Sequence, residues 1–462
     1  ADIRKQDFLK GTEAFDAPSS ILLGTFIDPA TGVLEGQIHW DREGHLLTVA
    51  PTRSGKSTTV IVPNLLRYQG SCVVLDPKGE LYRDTSAWRA RDGREVYRIA
   101  PFEETTHGFN PLSAVRSLSD ARALADLMIP HDPHAQEFFK KDAVAFLSAL
   151  ILFLTKKAPA DRRTLAEVRR LTALPTDEFL TLVKHMSTCG IPAVVNETNI
   201  ILGKNKDRAI PSLRDTLNTE MAVWDDEGVI AASSRNDVDF RALKDRPITV
   251  YVTVPFDKME AFAPFLKIVL SSALEAMIRN TRIPDIPVLF VLDEFLSLGP
   301  FPQFRNAIRT HAGAGVRLWF FLQDVSTLEE HYPSSWKTFF NSAVKLFFGT
   351  DETFTGKLVS DLLGDTTVGY QAGNLSGNRS TSSNDGITPT VNNGSSVSES
   401  VSFVGRPLLT PTEVVAALNR THGDKSRDGF LFLGGTPPVR TRLVPWFLGS
   451  TCKARIGQTK KP

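Results

Sequence analysis

Short, almost unbroken apolar runs punctuate this chain at residues 45–49, 72–75, 96–100, 248–254, 288–292, 317–322 and 344–348. Each is rich in β-branched or aromatic side chains and ends in polar or small residues, the pattern of a strand covered on both faces. Helix-like spacing separates many of them. The pattern therefore predicts a mostly parallel α/β sheet with right-handed crossovers, whose working edge lies at the strands' carboxyl ends.

The pattern changes between residues 136 and 232. Residues 136–154, 165–174, 176–186 and 207–222 carry helical spacing, and strand-like runs are nearly absent. This predicts an all-α domain over 136–232, inserted into a discontinuous α/β domain made of 1–135 and 233–462. Pro130 and Pro133 mark its start, and the polar run Ser233-Ser234-Arg235-Asn236-Asp237 marks its end. Residues 143–154 form the longest apolar stretch, bracketed by Lys140, Lys141, Lys156 and Lys157. It falls short of the roughly 20 residues that span a bilayer, so it reads as a buried helix. Residues 369–402 are Gly, Ser, Asn and Thr with few apolar anchors, a composition that predicts a long mobile loop. Residues 406–418 read as a Pro-rich turn and a short helix, 429–433 as a last strand, and a Lys-rich tail follows.

Composition narrows the classes. With 462 residues, 42% hydrophobic and 23% charged, the chain is globular rather than disordered or fibrous. Its 53 Lys plus Arg nearly cancel its 52 Asp plus Glu, so any contact with nucleic acid is local and not driven by a global basic field. The three cysteines, Cys72, Cys189 and Cys452, have no zinc-ligand spacing and indicate a reducing environment. His131-Asp132-Pro133-His134 is a proline turn without further nearby ligands, which argues against a metal centre there. The chain begins with Ala and shows no signal peptide, which reads as a fragment cut from a longer protein.

The candidate chemistry sits at strand ends. After the run 45–49 comes Ala50-Pro51-Thr52-Arg53-Ser54-Gly55-Lys56-Ser57-Thr58, and a helix-like segment follows. Strand, loop and helix in this order form a phosphate cradle of backbone N–H groups, completed by the helix N-terminus. Thr52, Arg53, Ser54, Gly55, Lys56, Ser57 and Thr58 are the expected nucleotide contacts. Lys56 would reach the β and γ phosphates of ATP, and Ser57 would ligate Mg2+. Ala50 stands where such loops begin with glycine, which narrows the backbone there. The run 288–292 ends in Asp293 and Glu294, the Walker B pattern. Asp293 would hold the magnesium through water, and Glu294 would polarise the attacking water. An acidic pair in this place can instead cap a helix. Gln323, after the run 317–322, is the expected γ-phosphate sensor.

These residues resemble the TraG-type coupling ATPases of type IV secretion, relatives of FtsK-like and HerA-like motors. The resemblance runs through Pro51-Thr52-Arg53-Ser54-Gly55-Lys56-Ser57, Leu75-Asp76-Pro77-Lys78-Gly79-Glu80-Leu81-Tyr82, Phe109-Asn110-Pro111-Leu112, Leu292-Asp293-Glu294-Phe295, Leu322-Gln323 and Arg406-Pro407-Leu408-Leu409. It implies a RecA-like P-loop NTPase with an all-α insertion that forms a hexameric ring, or a monomer when isolated. It also implies an arginine finger reaching across the subunit interface. The position where some relatives carry the arginine corresponds to Ala312, which leaves Arg305, Arg309 and Arg317 between Glu294 and Gln323 as the candidates, with Arg309 preferred. Further implications are a place on the cytoplasmic face of the bacterial inner membrane, with the anchor absent from this chain, and delivery of cargo to a type IV secretion channel. The cargo is a relaxase–DNA complex or a protein effector, and single-stranded or double-stranded DNA is a partner. The basic pairs Lys140-Lys141, Lys156-Lys157, Arg162-Arg163 and Arg169-Arg170 could meet DNA phosphates or acidic cargo. The rival readings are an FtsK-like or HerA-like DNA pump without a secretion role, and a docking platform that binds nucleotide with little turnover.

Overall fold

A computed structural model describes residues 17–28, 31–129, 137–204, 208–382 and 390–457. The seven anticipated runs form β3 (Leu46–Val49), β4 (Cys72–Leu75), β5 (Glu95–Ile99), β6 (Ile248–Val252), β7 (Val288–Leu292), β8 (Val316–Leu322) and β9 (Val344–Phe348), joined by β12 (Arg427–Leu433). Three further strands, β1 (Ile21–Ile27), β2 (Leu34–Trp40) and β13 (Val439–Leu443), complete an 11-stranded sheet in the order β2-β1-β13-β12-β9-β3-β8-β7-β4-β6-β5. From β9 to β5 every pairing is parallel. From β9 outwards through β12, β13, β1 and β2 every pairing is antiparallel.

The parallel centre was legible because it is buried on both faces: every residue of β3, β4, β6, β7 and β8 is buried. The antiparallel flank carries a weaker signal. In β13 buried and partly exposed positions alternate, and the first half of β2 is half exposed. β1 is interrupted by Gly24, where the register with β2 slips. Gly24 has a φ of +117°, and a Cβ there would lie 2.2 Å from Thr441 Oγ1, so the bulge requires glycine.

Because strand side chains alternate, one sheet feeds two cores. Leu46, Cys72, Val74, Leu289, Val291, Trp319 and Phe321 face one, which the helix after β3 closes with Val60, Ile61, Leu65 and Leu66. Leu47, Val49, Val73, Leu75, Phe290, Leu292 and Phe320 face the other. Between Glu137 and Ser233 the described residues form α-helices and short 3-10 turns and no strand. The apolar stretch lies inside the helix Glu137–Lys157, with Phe146, Leu147, Leu150 and Ile151 fully buried in that second core. No helix among the described residues is long and apolar enough to cross a membrane. The insertion is continuous with the sheet's packing: Trp224 meets Phe265 edge-on at 6.4 Å, and Phe109 N–H donates to Ala232 O at 2.8 Å. Residues 130–136, which hold the two boundary prolines and His131-Asp132-Pro133-His134, lie outside the described residues, as does Asp207.

The segment read as a loop is instead a hairpin. β10 (Asp365–Ser382) and β11 (Thr390–Pro407) pair antiparallel in one unbroken register, from Asp365 opposite Pro407 to Ser382 opposite Thr390. Its composition limits how much apolar surface it can bury, and that was the basis of the loop assignment. A ladder satisfies backbone N–H and C=O groups whatever the side chains are.

Gly228 marks how tightly the insertion meets the sheet: a Cβ there would lie 1.7 Å from Pro101 O, just past β5. Gly228→Ala is expected to lower stability by about 1–3 kcal/mol through overpacking. Gly313→Ala, where nothing stands within 4 Å, changes it by less than about 1 kcal/mol. Urea unfolding of both variants checks the contrast, and equal losses would contradict the packing described.

Candidate nucleotide site

The parallel register brings the carboxyl ends of β3, β8, β7 and β4 to one edge, with Val49 beside Leu322, Phe320 beside Leu292, and Leu292 beside Leu75. The next residue or two on each strand carry the site. Lys56 Nζ donates to Glu294 Oε1 at 3.0 Å, and each side chain is only 7% exposed. Gln323 Nε2 donates to the other oxygen, Glu294 Oε2, at 2.8 Å. Residues far apart in sequence thus converge on one carboxylate.

Glu294 reaches this position with a φ of +53°, a left-handed conformation that a non-glycine residue adopts at a cost of about 1–3 kcal/mol. Its side chain makes no capping bond to the turn that follows, so the helix-cap role does not hold here. The twist aims both carboxylate oxygens at Lys56 and Gln323. A cleft of about 330 Å³ opens on the same side, lined by Glu294, Gln323, Asp324, Glu260, Thr327 and His331.

Asp293 is buried, and its Oδ1 has no hydrogen-bond partner among the described residues. Burial pushes its carboxyl up to about 7, and the neighbouring carboxylates of Glu294 and Asp76 add to the rise that Lys56 and Lys78 oppose. Asp76, just after β4, is pushed up to about 6, chiefly by burial, although Tyr82 N–H donates to its Oδ2 at 2.8 Å. Asp76 therefore both anchors the helix Glu80–Arg89 and adds a third acid to the edge, a role its Asp-Pro-Lys-Gly turn alone did not reveal. Gly79, with φ +65°, makes that turn and starts the helix.

The loop is organised by its own hydroxyls. Ser54 Oγ donates to Pro51 O at 2.6 Å, and Thr58 Oγ1 and Thr59 Oγ1 donate to Gly55 O at 3.1 and 2.8 Å. The Ser57 hydroxyl, at the start of the helix, has no such bond among the described residues, which leaves it free for a cation. The first helical turn is wide, Val62 N–H reaching back to Ser57 O. The N–H groups of Gly55, Lys56, Ser57 and Thr58 have no acceptor among the described residues, the arrangement that cradles an anion. Thr52 and Arg53 are exposed on the loop's outer side, and Arg53 has a φ of +62°.

Ala50 needs correction. It is buried, its N–H donates to Leu322 O at 2.9 Å, and it has no positive φ. Ala50 prolongs the β3–β8 ladder, and the left-handed turns fall at Arg53 and Gly55 instead. Glycine is not needed at position 50.

The arginine candidates separate. Arg317 is buried within β8 and donates to Ser19 O at 2.6 Å and Arg42 O at 2.8 Å, a structural role. Arg305 is half-buried. Arg309 is exposed near the end of the helix Pro302–Thr310, whose Ala307 and Ile308 backbone groups meet His45, the residue before β3. That is the sheet edge opposite Lys56, so Arg309 does not join this chain's own site. The basic pairs of the insertion are partly neutralised: Arg162 and Arg170 share Glu167, Arg169 holds Asp225 at 2.7 Å, and Lys140 holds Glu220 at 3.1 Å.

Sequence reasoning missed Gly349, which follows β9 with φ +71°. A Cβ there would stand 2.8 Å from Ser54 Cβ, so the phosphate loop lies directly against its backbone.

A family model described as type IV secretory system conjugative DNA transfer matches residues 6–462. The chain is similar to Protein VirD4 of Rhizobium rhizogenes, 28% identical over 436 residues that cover 90% of this chain and 61% of that protein. It is also similar to Conjugal transfer protein TraG of Escherichia coli, 29% identical over 448 residues, 90% of this chain and 68% of that protein. The chain thus spans about six-tenths of the length of the VirD4 relative. Among solved structures, the unbound bacterial conjugative coupling protein TrwBdeltaN70 aligns with a TM-score of 0.63 at 16% identity, covering 96% of this chain and 91% of that one. Plasmid coupling protein TrwB in complex with ADP and Mg2+ aligns at 0.59 and 17% identity, covering 86% and 85%. These two likenesses establish the shared RecA-like P-loop fold.

The raised carboxyl of Asp293 has a consequence for stability. Its unfolded value is near 3.8, so between about 4 and 7 the unfolded chain loses this proton before the folded one, and folded stability falls as pH rises through that window. Asp293→Asn removes the effect. It is expected to stabilise the nucleotide-free fold by roughly 2–4 kcal/mol at pH 8, and by little below about pH 4. Denaturant titrations across pH check this, and a gain independent of pH would contradict it.

Proposed function

The chain belongs to the type IV secretory system conjugative DNA transfer family, and we propose that it is the ATP-hydrolysing motor portion of a coupling protein that hands DNA–protein cargo to a secretion channel. The observation that carries the reading is the buried, unpartnered Asp293 beside the Lys56–Glu294–Gln323 group, on one edge with a loop of free N–H groups.

The donors fit a hard divalent cation. Ser57 has an uncommitted hydroxyl and Asp293 an uncommitted carboxylate oxygen, so these two would hold Mg2+. When bound, that ion would neutralise charge on the transferred phosphoryl group. The chain's own residues do the rest. The N–H groups from Gly55 to Thr58 bind phosphate oxygens, and the Lys56 ammonium moves from Glu294 to the β and γ phosphates of ATP. This exchange frees the Glu294 carboxylate to orient a water and accept its proton, while Gln323 Nε2 keeps that carboxylate aimed. Thr58 acts indirectly, by fixing Gly55 O.

Several finer features follow the same reading. The motor assembles as a hexamer with the nucleotide between subunits, and an exposed arginine such as Arg309 serves only from a neighbouring copy. Its working place is the cytoplasmic face of the inner membrane, and its cargo is a relaxase–DNA complex or a protein effector. Because Arg162, Arg169 and Arg170 are already held by carboxylates, DNA contact at the insertion is local and salt-sensitive.

Magnesium-dependent ATPase activity is expected to rise with protein concentration and with added single-stranded DNA. Glu294→Gln lowers turnover by about 100-fold or more while nucleotide still binds, and Lys56→Ala abolishes both. Steady-state rates and equilibrium nucleotide binding of the three proteins check this, and equal rates in all three would end the motor reading.

A further inference from the structure

β12 runs antiparallel to β9, so its first residue, not its last, lies at the nucleotide edge. Gly429 sits opposite Phe348, the last residue of β9, which places Arg427 beyond the end of β9. Strand alternation then fixes the face. Gly429 and Leu431 share Arg427's side, and Leu431 belongs to the core that contains Val60, Ile61 and Leu65 of the helix following the phosphate loop. Phe430 and Phe432 point into the other core, and Asp428 shares their side. Arg427 is thus on the loop's edge and on the loop's face of the sheet.

Its guanidinium lies close to the loop itself. The Cβ position of Gly349 is 3.7 Å from Arg427 Nη1, 3.7 Å from Pro51 Cδ and 2.8 Å from Ser54 Cβ. Arg427 is partly buried, yet its side chain has no hydrogen bond, ion pair or ring contact among the described residues. The adjacent carboxylate cannot serve it. Asp428 is turned to the opposite face, where it holds His422 at 3.1 Å, Arg440 at 2.6 Å and Arg442 at 2.5 Å. A guanidinium beside the phosphate loop with no protein acceptor is available to a ligand anion.

The sheet order assigns which part of the ligand this is. β8 and β7, bearing Gln323 and the pair Asp293 and Glu294, lie on one side of β3, while β9 and β12 lie on the other. A nucleotide whose terminal phosphate meets Glu294 extends its nucleoside end across the loop toward Gly349 and Arg427. We infer that Arg427 is a nucleotide-binding residue that holds the nucleoside end, through the ribose and α-phosphate oxygens, from the strand flanking the phosphate loop. The inference rests on the nucleotide reading above and adds a contact on a strand that carries none of the motifs of the loop or the acidic edge.

The test compares binding of ADP with Mg2+ and of pyrophosphate with Mg2+, by calorimetry, in the full chain. Arg427→Ala and Arg427→Gln are expected to weaken ADP about 10- to 100-fold and pyrophosphate clearly less, because pyrophosphate keeps a phosphate contact but lacks the ribose. KM for ATP rises by a similar factor with kcat little altered, and Arg427→Lys recovers part of the loss. Lys56→Ala loses both ligands. Unchanged ADP affinity in folded Arg427 variants overturns the inference, as does an equal loss for ADP and pyrophosphate, which would mean that the residue only supports the loop. A wild-type chain that binds neither ligand brings down the nucleotide reading itself, and this inference with it.

Discussion

An ammonium and a carboxylate removed from water are each expensive alone, and Lys56 and Glu294 are both almost wholly covered. Each makes the other's burial tolerable, and this mutual dependence ties the loop after β3 to the end of β7 across the intervening β8. In the proposed cycle Lys56 exchanges Glu294 for phosphate oxygens at the same edge, while Gln323 keeps its hold on the carboxylate. Asp293 has an oxygen without a hydrogen-bond partner among the described residues, and its carboxyl is pushed up to about 7 by burial and by two acidic neighbours.

Rigid support makes such an exchange possible without collapse. The strands that deliver these side chains are packed on both faces, one core closed by the helix of the phosphate loop and the other shared with the inserted helices. Interiors at this density transmit displacement rather than absorb it. A shift at the loop is therefore felt on the face where the insertion packs, through Leu47, Val49 and the buried helix Glu137–Lys157. The inserted helices are mechanically part of the sheet.

The parallel centre and the site were readable in the sequence because they obey local rules. A doubly covered strand is a continuous apolar run, and a glycine-lysine-serine loop or an acidic pair at its end stands out against it. Of the flank only β12 was readable, over 429–433, since β1 is broken by Gly24 and β13 alternates Arg440 and Arg442 with buried Val439, Thr441 and Leu443. Residues 369–402 were misread because low apolar content was equated with absence of pairing. Ala50 was overinterpreted, since its backbone continues a ladder and the left-handed turns sit elsewhere. Gly349 and Arg427 carry no local motif at all. Their importance comes from a long-range juxtaposition that a one-dimensional pattern does not contain.

The antiparallel flank also dictates an order of events during synthesis. Among the described residues β1 pairs with β2 and with β13, and Thr25 lies opposite Arg442, far along the sequence. A nascent chain leaving the ribosome must carry the β1–β2 hairpin as an exposed, marginally stable ribbon until Val439–Leu443 has emerged. β13 then acts as the clasp that closes the sheet. A chain cut before Val439 would retain every nucleotide-edge residue and yet leave two raw strand edges open to pairing with other molecules.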